Sequence, residues 1–354
     1  MKVELRGTGV SLAIGPANWA GQAFLWAEAV KEHLGIPAVS FAPEGGNFQF
    51  PIHMSLGHPR WENPWHRRRT LMRAIDPATH LAIDGFQPIF GLPGMRNLAR
   101  DCTKLRRRGV MVALISHGSD TRDPDAHMER EPFSYYASAP TEYVEHLRKF
   151  SARSRLLAAD LGLPVFVSTP DLLLDTPTAT WLPLCVDIAR WHTPTDAFSA
   201  DVPTVLHLPS KRVPPIKGTA FIDPVLRQLA EQGRIIYLSP DHVTYQEMPN
   251  LIRRSDVVVD QLLTGSYGAA AVEAMAAGRL VVGNVSSATR ALIPDNPPIV
   301  DAPPDRFEEV IEDVLLRRGD YVGLAAGGRG YASRWHSGSA SAATLEQFLM
   351  GCTE

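Results

Sequence analysis

The sequence predicts an α/β protein of two doubly wound domains, each a parallel sheet with helices on both faces. Three observations carry this. Short apolar runs alternate with helix-forming stretches along nearly the whole chain, as expected for strands buried on both faces. At 354 residues the chain is too long for one ordinary core and about right for two. The alternation also lapses once, over residues 187–201, where polar turn residues replace it, and then restarts.

Hydrophobic residues make up 45% and charged residues 21%, a globular rather than disordered balance. The 35 basic and 38 acidic residues leave a net charge of -3, which gives no electrostatic basis for a nucleic-acid partner. Cys102, Cys185 and Cys352 are odd in number and far apart. They make neither a disulfide framework nor a metal spacing, and they fit a reducing compartment. The first residues carry no apolar leader core, and no apolar run approaches the ~18 residues of a membrane span. A cytoplasmic protein is expected.

In order, residues 10–14 read as the first strand, 15–22 as a turn, 23–34 as an amphipathic helix and 38–42 as the second strand. Gly15 and Gly21 in the turn either serve its tightness or let the backbone approach a ligand; the run is not a GxGxxG. Residues 47–55 alternate like an edge strand. Residues 61–73 join Trp61 and Trp65 to four arginines in a helix start. That segment either meets an anionic membrane surface or charged acceptor, or is a solvated face over packed tryptophans. Residues 81–84 form a strand. The helix at 97–108 ends in Arg106, Arg107 and Arg108 before Gly109, as the macrodipole and a glycine cap favour. A buried strand at 110–115 leads into Ser116-His117-Gly118. Among 12 histidines, His117 stands apart because it sits at the carboxyl edge of a sheet, where acid-base or polar contacts are made. Asp123-Pro124-Asp125 spells a DxD, but in a proline-bearing loop with no strand of its own, and reads as chance. A helix at 141–161, a strand at 164–168 and an extended segment at 181–187 complete the first half.

The second half opens with a strand at 203–206 and a loop bearing Lys211, Arg212, Lys217 and Gly218. A helix (220–231), a strand (235–238) and a helix (246–254) follow. Residues 255–285 are then one βαβ unit. Val257, Val258 and Val259 form a buried strand, and Gly265 and Gly268 bracket a break. A helix runs from Ala269 to its stop at Gly278, and Leu280, Val281 and Val282 form the next strand. A strand at 298–300 and helices at 306–316 and 321–350 end the chain. Ligands of such units collect outside the carboxyl ends of the strands, and the helix amino end at Gly268 suits a phosphate. Arg212 and Lys217 follow a buried strand and suit a diphosphate, so no metal is required to balance its charge. Glu273, in an otherwise apolar helix, either faces solvent or accepts hydrogen bonds from a ribose diol. Two such domains would face a central cleft, a usual place for nucleotides and phosphorylated sugars.

Several segments together resemble the donor site of the retaining nucleotide-sugar glycosyltransferases of family 4 (glycosyl transferases group 1), which have the GT-B fold of two Rossmann-like domains. They are Arg212-x4-Lys217-Gly218, the run Gly265-Ser266-Tyr267-Gly268 with Glu273-Ala274-Met275-Ala276-x-Gly278, and Leu280-Val281-Val282. Ser255-Asp256-Val257 and Pro183-x-x-Val186-Asp187 resemble the flanking segments of that family. The resemblance implies an N-terminal acceptor domain (1–190), a donor domain (191–335) and a C-terminal helix (336–354) crossing back onto the first domain. It implies that Arg212 and Lys217 bind and stabilise the departing diphosphate, and that Glu273 binds the ribose. Backbone amides of Ser266, Tyr267, Gly268 and Ala269 would touch sugar and phosphate. His117 would stand beside the transferred sugar, and Gly15 and Gly21 would face the diphosphate. One departure stands out. The family's E-x7-E pattern would place a glutamate, the contact to donor-sugar hydroxyls, at Gly265. Asp260 and Gln261 are nearby alternatives at a different spacing.

The function so implied is transfer of a sugar from a UDP- or GDP-sugar to an acceptor hydroxyl, an EC 2.4 activity of hexosyltransferase type, with retention and without a metal or other cofactor. The acceptor, a glycan, lipid-linked compound or small metabolite, would be chosen by loops around 47–69 and 119–136. Peripheral contact with the inner membrane face through residues 61–73 is a further expectation. The rival readings are an inverting or epimerase-like GT-B enzyme and a non-catalytic nucleotide-sugar-binding protein. An NAD-dependent oxidoreductase is disfavoured, because no GxGxxG with an acidic residue about 20 positions on is present.

Overall fold

The apolar runs assemble into two all-parallel sheets, one of seven strands and one of five, in a computed structural model that describes residues 9–43, 49–57, 63–90, 94–209 and 216–351. Two compact units result. The first comprises Met1–Asp123, Leu147–Cys185 and Gly338–Glu354, and the second Pro124–His146 and Val186–Ser337.

The sheet of the first unit holds β1 (Leu12–Gly15), β2 (Ala38–Ala42), β3 (Met54–Ser55), β4 (His80–Asp84), β5 (Met111–Ser116), β6 (Val165–Val167) and β7 (Thr180–Trp181). Its order is β3-β2-β1-β4-β5-β6-β7, so the strand order reverses between β1 and β4. Both are buried throughout, which is why they read as unbroken apolar runs rather than alternating ones. The helices here are α1 (Gln22–Leu34), α2 (Pro64–Ile75) and α3 (Met95–Arg107). The side chain of Asn63 accepts from Trp65 N at the start of α2, and Leu71, Ala74 and Ile75 turn into the core. Trp65 does not pack beneath the helix, as the solvated-face reading expected; it is exposed, with Arg68, Arg69 and Arg73 exposed on the same helix. Trp61 lies outside the described residues.

The chain enters the second unit through α4 (Pro124–Arg130), which the sequence reading treats as loop. Pro124 is the first helical residue and Asp125 lies in the first turn, both helix-start signals, but the helix is too short to show a period. It returns along α5 (Thr141–Leu161). The chain thus passes between units four times: besides the boundary expected near residue 190 and the C-terminal return expected near 336, residues 124–146 leave the first unit to cluster with the second sheet and the chain then comes back.

The second sheet holds β8 (Thr204–His207), β9 (Ile236–Leu238), β10 (Val257–Val259), β11 (Leu280–Gly283) and β12 (Ile299–Asp301) in the order β12-β11-β10-β8-β9. Its order reverses between β8 and β10. Its helices are α6 (Ile188–Trp191), α7 (Thr219–Glu231), α8 (Met248–Arg253), α9 (Ala269–Ala276), α10 (Ser287–Arg290), α11 (Phe307–Leu316) and α12 (Arg318–Trp335). The alanines of α9 let α12 approach so closely that a Cβ on Gly328 would lie 3.1 Å from Met275 Cα. The helix expected over 321–350 breaks before Gly338, whose φ of 102° ends one helix and admits another, α13 (Ser339–Leu349). That helix belongs to the first unit. Ser341 Oγ donates to Pro183 O at 2.7 Å, and Leu345, Phe348 and Leu349 are buried.

Among the described residues no helix is long and apolar enough to cross a membrane, and no cluster of three or more His, Cys, Asp or Glu could hold a metal ion. Burial pushes the Cys102 and Cys185 thiols up to about 12, so both stay protonated; Cys352 lies outside the described residues.

Candidate active site

In open parallel sheets the ligand sits at the carboxyl ends of the strands where their order reverses. Each unit places a polar constellation there.

In the second unit the reversal lies between β8 and β10. Lys217 stands in the loop after β8 and Asp260 directly after β10. Leu262 N donates to Lys217 O at 3.2 Å, which ties the two loops together. Lys217 Nζ lies 3.3 Å from Asp260 Oδ1, an ion pair whose angles fall short of a directed hydrogen bond. The other oxygen, Oδ2, accepts from Gly268 N at 2.9 Å, the residue that opens α9. One buried carboxylate thus bridges a lysine and a helix amino end, the two groups that attract an anion.

Glu273 is the next group. Burial raises its carboxyl to about 8; Lys217 opposes the rise, Asp260 adds to it and Arg190 opposes it. The apolar helix that singles it out in the sequence is also what desolvates it. Arg190, in α6, donates to Tyr245 O at 2.7 Å and lies over the Tyr245 ring at 4.0 Å. Nothing in its sequence surroundings marks Arg190 as part of this site.

The loop between β10 and α9 is held by its own polar atoms. Gln261 Nε2 and Thr264 Oγ1 both donate to Ser266 O, at 3.0 and 3.2 Å. Gln261 and Asp260, the alternatives for the carboxylate missing at 265, are therefore committed to the loop itself. The Tyr267 hydroxyl pairs with Tyr331 at 3.1 Å inside the unit, so that side chain is a core element and only its backbone lies in the loop. Ser266 Oγ is buried and has no hydrogen-bond partner among the described residues. Ala269 is the first residue of α9. Arg212 and Lys211 lie outside the described residues.

Gly265 has φ +64°, a conformation that suits glycine. A Cβ there would lie 2.8 Å from Oε2 of Glu131 and closer still to Oε1. Glu131 comes from the turn after α4, in a stretch for which the sequence offers no motif. It is buried.

In the first unit the reversal lies between β1 and β4. Gly15 ends β1, and a Cβ on it would run into the Phe41 carbonyl and lie 2.8 Å from the Phe41 ring, so β1–β2 packing demands glycine there. Gly21, φ +73°, precedes α1. His117 follows β5. Its Nε2 is hydrogen-bonded to Asp84 Oδ1, and its backbone N–H donates to Asp120 Oδ2 at 2.8 Å. Burial works to lower the imidazole pKa, but the charge and hydrogen bond of Asp84, joined by Asp120, outweigh it and hold the pKa above its ordinary value. Asp84 Oδ2 also accepts from Asn18 N at 2.6 Å, and the ring stacks on Trp26 at 5.7 Å. The sequence reading places Asp84 at a strand end and Asn18 and Asp120 in loops, and gives none of them a role in the site. Asp84 had a signal, a carboxylate ending a buried strand just before Gly85, the same pattern that singles out His117.

No protein-family model matches the chain, and no curated protein does. Solved structures do match. Anabaena HepE in complex with UDP and glucose is similar with a TM-score of 0.60 at 14% identity, over 96% of this chain and 99% of that one. Sucrose-phosphate synthase from Thermosynechococcus elongatus gives 0.59 at 13% identity, over 97% and 98%. An alpha-glucosyltransferase in complex with UDP gives 0.60 at 10% identity, over 96% and 99%. The fold is GT-B. At such identities the likeness establishes architecture, and the chemistry of the GT-B chain has to come from its own residues.

Proposed function

We propose that the chain is a glycosyltransferase whose second unit binds a nucleoside-diphosphate sugar and transfers the sugar to an acceptor hydroxyl. The observation that carries this reading is the Lys217–Asp260–Gly268 bridge at the β8/β10 reversal. A diphosphate there would meet Lys217 and the amino end of α9, taking over from Asp260 the two donors it now engages. Glu273, within α9, would take the ribose hydroxyls. As the glycosidic bond breaks, charge builds on the departing diphosphate, and Lys217 with the helix amino end would stabilise it. Arg212 would join them on the sequence pattern alone. Retention without a metal follows from the resemblance of the Arg212–Lys217 and Gly265–Glu273 segments: the chain would supply the cations, and the departing phosphate would accept the acceptor proton on the same face. His117, held by Asp84 and Asp120, would serve the transferred sugar as a polar contact. HepE and the alpha-glucosyltransferase, crystallised with UDP, lend support at the level of fold.

Calorimetric titration with UDP, GDP and a panel of their sugar conjugates tests the reading, followed by assay of nucleotide release. Lys217→Ala is expected to weaken the free nucleotide and its sugar conjugate alike, by roughly tenfold to a hundredfold for a lost charge-assisted contact. No binding of any nucleotide or conjugate at millimolar concentration would sink the proposal. Binding without turnover, with every acceptor class and with water, would instead favour the non-catalytic reading. The anomer of the product decides between retention and inversion.

A further inference from the structure

The carboxylate of Glu131 lies against the Cα of Gly265, in the volume a side chain at that position would begin to fill. It is held there from both sides. Glu131 N donates to His127 O at 2.9 Å and Ser134 N donates to Glu131 O at 2.9 Å, which closes the turn after α4. His127 Nε2 bonds Thr264 O at 3.2 Å, and Tyr135 N donates to Leu263 O at 3.4 Å. A carbonyl can only accept, so His127 Nε2 carries a proton, and Nδ1 pairs with the Ser134 hydroxyl at 2.7 Å. The residues before and after Glu131 are thus bonded to the two residues that precede Gly265. The carboxylate is positioned on the loop between β10 and α9 by backbone bonds and a buried histidine, not by a flexible surface reach.

A carboxylate in that place selects what can occupy it. It repels phosphate, and it accepts hydrogen bonds from neutral hydroxyl groups, two at a time when they are vicinal. The nearest other acidic group of the loop, Asp260, faces Lys217 and Gly268 N. Along the chain, the diphosphate donors at Gly268 lie between Gly265 and Glu273. In that order the helix supplies one carboxylate, Glu273, and the loop before it receives another, Glu131, against Gly265. Next to Gly265 the buried Ser266 hydroxyl has no hydrogen-bond partner among the described residues, a further polar atom that a hydroxyl-rich ligand would satisfy.

We propose that Glu131 is the residue that recognises the sugar of the donor, accepting hydrogen bonds from its hydroxyls in place of a side chain at position 265. This rests on the reading of the second unit as a nucleotide-sugar site, and it assigns residues 124–146 to donor recognition rather than to choice of acceptor. Gly265 then has a definite role. It leaves the space that a carboxylate from elsewhere in the chain occupies.

The test uses the full chain and compares free UDP and GDP with whichever nucleotide-sugar of a panel binds the wild type most tightly. Glu131→Gln, nearly isosteric, is expected to weaken the nucleotide-sugar about tenfold or more while leaving the free nucleotide within about twofold. Gly265→Ala is expected to do the same, because its Cβ displaces the Glu131 carboxylate. Glu131→Ala combined with Gly265→Glu, which returns a carboxylate to the loop, is expected to recover at least fivefold of the affinity that Glu131→Ala loses. Circular dichroism checks that each variant is folded, and Glu131→Gln carries the test should the alanine variant unfold. Equal losses for free nucleotide and nucleotide-sugar would overturn the assignment, as would no loss for either. So would a wild type that binds free nucleotide but no nucleotide-sugar. A wild type that binds neither overturns the donor-site reading itself, and the Glu131 assignment with it.

Discussion

Four carboxylates decide the chemistry available to this chain, and only one was conspicuous in the sequence. Glu273 stands out because a glutamate among alanines and valines is costly to bury. Asp84, Asp260 and Glu131 take their meaning from partners distant in the chain: His117, Lys217 and Gly265. Asp260 came into view only as a spacing alternative, and its two oxygens turn out to serve the loop. Glu273 carries a prediction of its own. Its carboxyl binds a proton more tightly when folded, with the pKa raised from 4.5 to about 8. The stability it contributes is therefore complete below about 4.5 and is lost as the pH rises through about 8. Glu273→Gln fixes the neutral shape. Without ligand, its melting temperature should match the wild type at pH 5 and exceed it at pH 9. Melting curves that coincide at pH 9 would contradict the raised pKa.

At the scale of elements, the strands were the most legible part. A strand buried on both faces must be apolar throughout, and β2, β10 and β11 fall almost where the runs place them. Short or interrupted elements were not legible. The helix α4 is a bare two turns, and α12 and α13 share one helical stretch of sequence that divides before Gly338. Adjacent glycines of α12 separate propensity from packing. Gly327 has open space around its Cα, so Gly327→Ala should stabilise by about 0.5–1 kcal/mol through helix propensity alone. Gly328 faces the backbone of α9 at Met275, so Gly328→Leu should destabilise by about 1–3 kcal/mol through overpacking. Denaturant titration reads both. A Gly328→Leu variant as stable as the wild type would mean that α12 and α9 do not pack this closely.

At the scale of the molecule, each sheet has its own reversal of strand order and its own polar constellation, and each is completed by chain from elsewhere in the sequence. Residues 124–146 bring Glu131 to the second sheet, and residues from 338 on bring α13 to the first. The burial of Leu345, Phe348 and Leu349, at ~1.5–3 kcal/mol each, sums to roughly 5 kcal/mol or more. That is comparable to the whole stability of many domains. A chain ending at Ser337 is therefore expected to melt at a markedly lower temperature, with its first unit cut rapidly by protease. An unchanged melting temperature would show that α13 is dispensable.

The sequence by itself determined the class of fold, the strands and the glycine-bearing turn before α9, because period, burial and helix signals are local properties of the chain. It also determined that position 265 carries no carboxylate. Only the tertiary structure decided what stands there instead. A close approach between Glu131 and Gly265 depends on how a turn after α4 docks onto a loop far along the chain, and no local pattern encodes such a meeting.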